Sequence, residues 1–186
     1  MAKDMQTPFD AAVVMFTKRT GALATAIRSV YAQTFDGRVQ VVVGVDGPQA
    51  DRAALAALAR EAPDRMALTV VDPGYSTARS RGGLHAPEAG GSLRAALTLL
   101  ANARHVAFLS EVNRYAPEHL DLLRRAIGEH AWAWTQRWFA DSHHGLHEKW
   151  PDEAKKKISE ITPRYSGTAT GQITRHPDPA WQITEL

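Results

Sequence analysis

The sequence contains no cysteine in its 186 residues. Disulfides, thiolate nucleophiles and cysteine-ligated zinc are therefore excluded. No apolar run approaches the roughly 20 residues that span a bilayer. The N-terminal MAKDMQTPFDAAVVMF carries an apolar stretch too short for a signal peptide. It reads as a first strand, and the expectation is a cytoplasmic chain with no membrane span. A strong excess of one charge sign is also missing. There are 22 Lys and Arg against 20 Asp and Glu, a net charge of +2. That is too small and too scattered to mark a nucleic-acid-binding surface, and no nucleic-acid partner is expected. GxSxG is absent, so no nucleophile elbow is indicated. No spacing matches a P-loop, a dinucleotide fingerprint or the HExxH order. Internal repeats and low-complexity tracts are absent too.

What is present is a chain 44% hydrophobic and 23% charged, enough for one globular domain with a sizeable core. Ala11 to Phe16 (AAVVMF) and Val39 to Val45 (VQVVVGV) are apolar runs of the kind buried on both faces of a sheet. Met66 to Val71 (MALTVV) predicts a third strand, and the run beginning at Val106 (VAFL) a fourth. Between them lie helical patterns. Gly21 to Gln33 carries Leu23, Ile27, Val30 and Tyr31 on one side, with Thr20 able to cap it. Asp51 to Glu61 is alanine-rich and stopped by Pro63. Ser92 is placed to cap LRAALTLLANA, and Pro117 to open a helix running to Glu129. Ala131 to Gln136 (AWAWTQ) follows as a further strand. Strands alternating with helices predict right-handed βαβ units, hence an α/β fold whose central sheet is mostly parallel and flanked by helices. After Asp141 the pattern dissolves. Residues 142–186 are expected to form a short C-terminal extension, peripheral or partly disordered, outside a domain spanning 1–141.

Open α/β sheets place ligand chemistry beyond the C-terminal ends of their strands. Asp46 ends the valines of the second strand, where a carboxylate cannot stay buried unpaired. It reads either as a turn or helix-cap aspartate, or as an acceptor for a nucleobase or ribose. Arg79 and Arg81 lie in the glycine-rich GYSTARSRGG, which is either a solvated basic loop or a diphosphate site. Ser110, Glu111, Val112 and Asn113 follow the fourth strand. Glu111 and Asn113 offer hard oxygen donors to Mg²⁺ or Mn²⁺, although one carboxylate and one amide make a poor site. Elsewhere, His143, His144, His147 and Glu148 form HHGLHE, read as a solvated turn in preference to a zinc site. Lys155, Lys156 and Lys157 read as an exposed face. Trp132, Trp134 and Trp138 read as core or interface aromatics, one of which can stack on an acceptor sugar.

Taken in order, AAVVMFTKRTGALATAIRSVYAQTF followed by VQVVVGVDGP resembles the opening of inverting family-2 glycosyltransferases of the GT-A fold. GYSTARSRGGLHAPEAGGSLRAALTLLANARHVAFL and NRYAPEHLDLLRRAI continue the likeness, as does AWAWTQRWFAD, over residues 11–141. The resemblance implies a GT-A-like nucleotide-sugar-binding domain. Its donor would be a nucleoside-diphosphate sugar, UDP-linked, and a sugar would pass with inversion to the hydroxyl of an unidentified acceptor. By position, Asp46 would hold the nucleobase and Thr17 would line its pocket. Arg79 and Arg81 would lie near the diphosphate, and Glu111 would face the ribose or the metal, with Asn113 as a weaker ligand. The cofactor implied is Mg²⁺ or Mn²⁺.

Two departures stand against full activity. The DXD-type motif is degenerate, because Ser110 and Val112 stand where acidic residues are expected. No catalytic base can be assigned among Asp141, Glu148, Asp152 and Glu153. The alternative is a non-catalytic binding or assembly module with a decayed metal site. A homo-oligomer is compatible with either, and a nucleotidyltransferase lacks its Gly-rich, Lys-containing loop.

Overall fold

The structure, a computed structural model, describes residues 3–18, 21–47, 50–85, 91–133, 139–140, 146–147 and 173–175. Four strands form its parallel centre: β1 (Ala11–Thr17), β2 (Val39–Val45), β3 (Met66–Val71) and β4 (His105–Phe108). The helices between and after them are α1 (Leu23–Tyr31), α2 (Arg52–Glu61), α3 (Gly91–Leu100) and α4 (His119–Ile127). The shorter strands are β5 (Trp132–Ala133), β6 (Phe139–Ala140), β7 (Leu146–His147) and β8 (Ile173–Arg175). The main sheet runs β3-β2-β1-β4-β8-β5, and β6 pairs with β7 in a separate two-stranded sheet. β1 to β4 are mutually parallel, while β8 lies antiparallel between β4 and β5. The mostly parallel sheet read from the alternation is thus present. Residues 173–175 of the expected extension join it as a strand.

The valine-rich strands are buried on both sides because helices cover both faces. Odd residues of β1, Val13 and Met15, pack with Ile27 and Val30 of α1, Leu55 of α2 and Leu123 of α4. Even residues Ala12 and Val14 pack with Leu93 and Leu97 of α3. Each such leucine or isoleucine contributes about 1.5–3 kcal/mol relative to exposure. Gly44 is what lets α3 sit close. A β-carbon there would lie 2.6 Å from Leu97 Cδ1 and 2.9 Å from Leu93 Cγ. Gln40, polar within β2, is satisfied on both sides: its Nε2 donates to Thr69 Oγ1 at 3.0 Å, and its Oε1 accepts from the Asn102 amide at 2.8 Å.

Some element ends differ from the sequence expectation. Asp51 caps α2 by accepting from the Ala54 amide at 2.9 Å. The N-cap of α1 is Ala22, without a side-chain cap, and Thr20 lies outside the described residues. Ser92 lies inside α3, which begins at Gly91 and ends at Leu100, short of Ala103. α4 begins at His119 and not at Pro117. The carbonyl of Pro117 accepts the Thr34 amide at 2.8 Å, a tertiary bond that holds the chain entering α4 against the end of α1. The strand expected over Ala131 to Gln136 is realised at Trp132–Ala133, the residues beyond lying outside the described ones.

Candidate functional site

From β1 the chain steps outward to β2 and β3, then returns to place β4 on the other side of β1. This reversal opens a crevice at the C-terminal ends of β1 and β4, where such sheets bind ligands. Thr17 is the last residue of β1 and is fully buried. Its hydroxyl donates to the carboxylate of Glu111, across the crevice beyond β4. Its carbonyl accepts from the Asp46 amide at 2.8 Å. Three strand ends therefore converge through one threonine.

Asp46 is only 1% exposed. Its Oδ1 accepts the Thr77 amide at 2.8 Å, the Ser76 hydroxyl at 3.1 Å and the Thr77 hydroxyl at 3.2 Å. Its Oδ2 is buried without any hydrogen-bond donor, although the Arg81 guanidinium lies 3.5 Å away. A buried carboxylate oxygen lacking a donor is costly and calls for a partner. A ligand N–H or O–H reaching this oxygen would complete its shell.

The loop that serves Asp46 is folded on itself. The Arg79 amide donates to His85 O at 2.8 Å, the His85 amide to Thr77 O at 3.1 Å, and the Gly83 amide to Ala78 O at 2.9 Å. Gly83 permits this closure, since a β-carbon on it would lie 2.3 Å from the Thr77 carbonyl. A short 3₁₀ turn, Arg79–Arg81, ends at Gly82 with φ of 88° in the left-handed region. The turn directs Arg81 to Asp46. Arg79 is exposed and donates at 3.4 Å to Leu84 O within its own loop, so the structure does not bring it to the other candidates.

Beyond β4, Ser110 to Asn113 form a tight turn closed by the Asn113 amide on Ser110 O at 3.0 Å. Glu111 and Asn113 are half-buried, whereas Val112 is 73% exposed. The turn is anchored from behind by Tyr115. Its amide donates to Ser29 Oγ at 3.1 Å and its hydroxyl to Phe108 O at 2.9 Å, and burial raises the phenol pKa strongly. Its ring stacks on His119 at 4.0 Å between centroids. His119 Nε2 is buried without a partner, and burial lowers its imidazole pKa to about 4.

A residue that sequence reasoning missed lies on the opposite face of the sheet at the same end. Arg94, in the first turn of α3, sets its guanidinium 4.5 Å from the centre of the Phe16 ring, next to Thr17 in β1. It is half-buried, and burial alone pushes its pKa down. Among the described residues its guanidinium has neither an ion pair nor a hydrogen bond. The signal was available: Arg94 is the one charged residue in the helix GSLRAALTLL.

Among the described residues, no group of three His, Cys, Asp or Glu side chains is placed to hold a metal ion. The HHGLHE histidines, the three lysines, Trp134, Trp138 and the carboxylates Asp141, Glu148, Asp152 and Glu153 lie outside the described residues. Trp132, on β5, is 55% exposed. No helix of the described residues is long and apolar enough to cross a membrane.

No protein-family model matches the chain, and no curated protein matches its sequence. Solved structures do match. Residues 1–349 of S. aureus TarS superpose with a TM-score of 0.61 at 17% identity, over 90% of this chain and 47% of that one. TarS 1–349 in complex with UDP gives 0.59 at 17% identity over 90% and 47%, and in complex with UDP-GlcNAc 0.58 at 17% over 90% and 45%. The chain thus spans about half the length of these neighbours. At this identity the likeness establishes the fold alone, an α/β architecture whose mostly parallel central sheet is flanked by helices.

Proposed function

We propose that the chain is a nucleotide-sugar-binding domain of a family-2-like glycosyltransferase, taking a UDP-linked donor and passing its sugar with inversion to an acceptor hydroxyl. The observation that carries this reading is the Asp46 Oδ2, a buried carboxylate oxygen without a donor at the strand ends. An imide N–H of a pyrimidine base is a fitting partner, and Arg81 on the same oxygen is placed to meet a base carbonyl. Thr17 forms the floor beside it, and Glu111, oriented by the Thr17 hydroxyl, faces the ribose side of the crevice. The complexes of TarS with UDP and UDP-GlcNAc support the donor class.

The divalent cation that the fold family implies does not fit the residues present. The turn offers one carboxylate, Glu111, already accepting from Thr17, and an exposed valine at the next position. Serine and an amide complete the set, against the carboxylate-rich donors that Mg²⁺ and Mn²⁺ prefer. The same poverty of carboxylates favours a second reading, a binding module without transfer activity. An active enzyme would use a carboxylate to deprotonate the acceptor and in-line attack at the anomeric carbon.

The test is thermal denaturation with nucleoside diphosphates. UDP at 100 times its dissociation constant is expected to stabilise the fold by about 2.7 kcal/mol. No shift with any nucleoside diphosphate at millimolar concentration, with or without Mn²⁺, overturns donor binding. Turnover of a UDP-sugar by the native chain decides against the binding-module reading.

A further inference from the structure

We propose that this chain holds its nucleoside diphosphate without a divalent cation, and that the Arg94 guanidinium meets the diphosphate charge. The inference rests on the nucleotide reading above and adds to it the means of charge neutralisation.

Two independent observations carry it. The first is the donor set just described. Even if Glu111 turned from Thr17, it would be a lone carboxylate in a turn whose next side chain, Val112, has no donor atom. The Ser110 hydroxyl and the Asn113 amide are the remaining hard donors of the turn, and neither carries charge. A diphosphate carries about two to three negative charges, and something must offset them once the crevice is desolvated.

The second is the state of Arg94. The other arginines near these strand ends are paired, bonded within their own loop or exposed. Arg81 pairs with Asp46 at 3.5 Å, and Arg52 pairs with Asp72 at 2.7 Å. Arg79 bonds its own loop, and Arg114 is exposed. Arg94 alone among these is half-buried with no anion among the described residues. Its guanidinium carbon lies 4.5 Å from the centre of the Phe16 ring, a cation–π contact that leaves its N–H donors unused. Keeping a cation partly desolvated and unpaired costs stability, which an anionic ligand would return. A planar fork of N–H groups suits two phosphate oxygens at once. Phe16 pairs with Gly44, and Thr17 with Val45 just before Asp46, so Arg94 belongs to the strand ends that carry the base site. Phe16, which the guanidinium covers, directly precedes Thr17 along β1, so the cation flanks the same strand end from the α3 face of the sheet.

The experiment is equilibrium binding of uridine, UMP and UDP to the full chain, by calorimetry, in EDTA and in excess Mn²⁺. UDP affinity is expected to agree within about twofold between the two buffers, and UDP to bind at least tenfold more tightly than uridine in EDTA. Arg94→Met should remove most of that UDP-over-uridine advantage while uridine itself stays within twofold. Arg94→Lys, which keeps the charge and loses the fork, should fall between. UDP binding that appears only with Mn²⁺ overturns the proposal and leaves the nucleotide reading standing. A UDP-to-uridine ratio unchanged in Arg94→Met overturns the assignment to Arg94. If that variant does not fold by circular dichroism, Arg94→Lys and the two-buffer comparison of the native chain decide in the same way. Absence of binding by all three ligands in both buffers overturns the nucleotide reading and this inference with it.

Discussion

At the scale of single residues, Asp46 has two tasks that a conservative variant separates. Oδ1 organises the loop through Ser76 and Thr77, while Oδ2 is available. Asp46→Asn keeps an acceptor for the loop but removes the charge opposite Arg81. The expected outcome is a chain that folds with a stability loss of about 1–3 kcal/mol, since a guanidinium is left with a weaker partner. Its UDP-induced shift in melting temperature should be lost. Gly83 gives a steric counterpart. In Gly83→Ala the new methyl would meet the Thr77 backbone at 2.3 Å, and a backbone cannot rotate aside as a side chain can. The loop must open, costing about 1–3 kcal/mol. Amide exchange at Thr77 should accelerate relative to the core strands, and UDP affinity should fall although Gly83 touches no proposed ligand group. Equal exchange rates in variant and native chain would show that the loop does not need this glycine. Asp46 stood out in the sequence as a carboxylate after valines, whereas Gly83 was one glycine among several in GYSTARSRGG. What the sequence could not disclose was that Asp46 bonds residues 30 and 31 positions away, which sets it apart from a local turn aspartate.

At the scale of elements, the strands were legible and the helix ends less so. β2 and β3 match the apolar runs residue for residue because burial on both faces leaves little freedom in composition. Helix α4 starts two residues later than Pro117 suggests, and the carbonyl of that proline is taken by Thr34 from the loop between α1 and β2. Periodicity carries no information about such a bond. His119 in the first turn of α4 supplies a pH prediction. Burial lowers its pKa from 6.5 to about 4, so between these values the unfolded chain binds a proton that the folded chain resists. Its contribution is complete above about pH 6.5 and is lost as the pH falls towards 4. Discounted for partial exposure of the ring, the loss is about 1–2 kcal/mol. Urea denaturation midpoints at pH 7.5, 6 and 5 test it. The native chain should weaken more steeply than His119→Phe, which preserves an aromatic against Tyr115 and cannot be protonated. Parallel pH profiles would locate the acid sensitivity elsewhere.

At the scale of the whole molecule, the arrangement of the sheet follows from alternation of strand and helix, but the position of residues 173–175 does not. That segment offers few apolar anchors, and its strand is only three residues long. It nonetheless pairs His105 with Arg175 and Ala107 with Ile173, placing β8 beside a strand about 70 positions earlier. Such a pairing is dictated by an open sheet edge and not by local preference, so no short window of sequence reveals it. A chain ending at Asp141 tests how far the first 141 residues stand alone. Removing β8 would leave β4 with unpaired amides and carbonyls and would separate β5 from the sheet. An exposed edge of this kind invites pairing with another copy. The truncated chain is expected to melt several degrees lower than the full chain and to associate with rising concentration in light scattering. The proposed base site, built on β1, β2 and the loop around Thr77, would keep its local contacts, so UDP should still raise the melting temperature. A truncated chain that stays monomeric with an unchanged melting temperature would make residues 1–141 a self-sufficient domain. One that melts lower yet still responds to UDP would separate what β8 does for the sheet from what Asp46 does for the ligand.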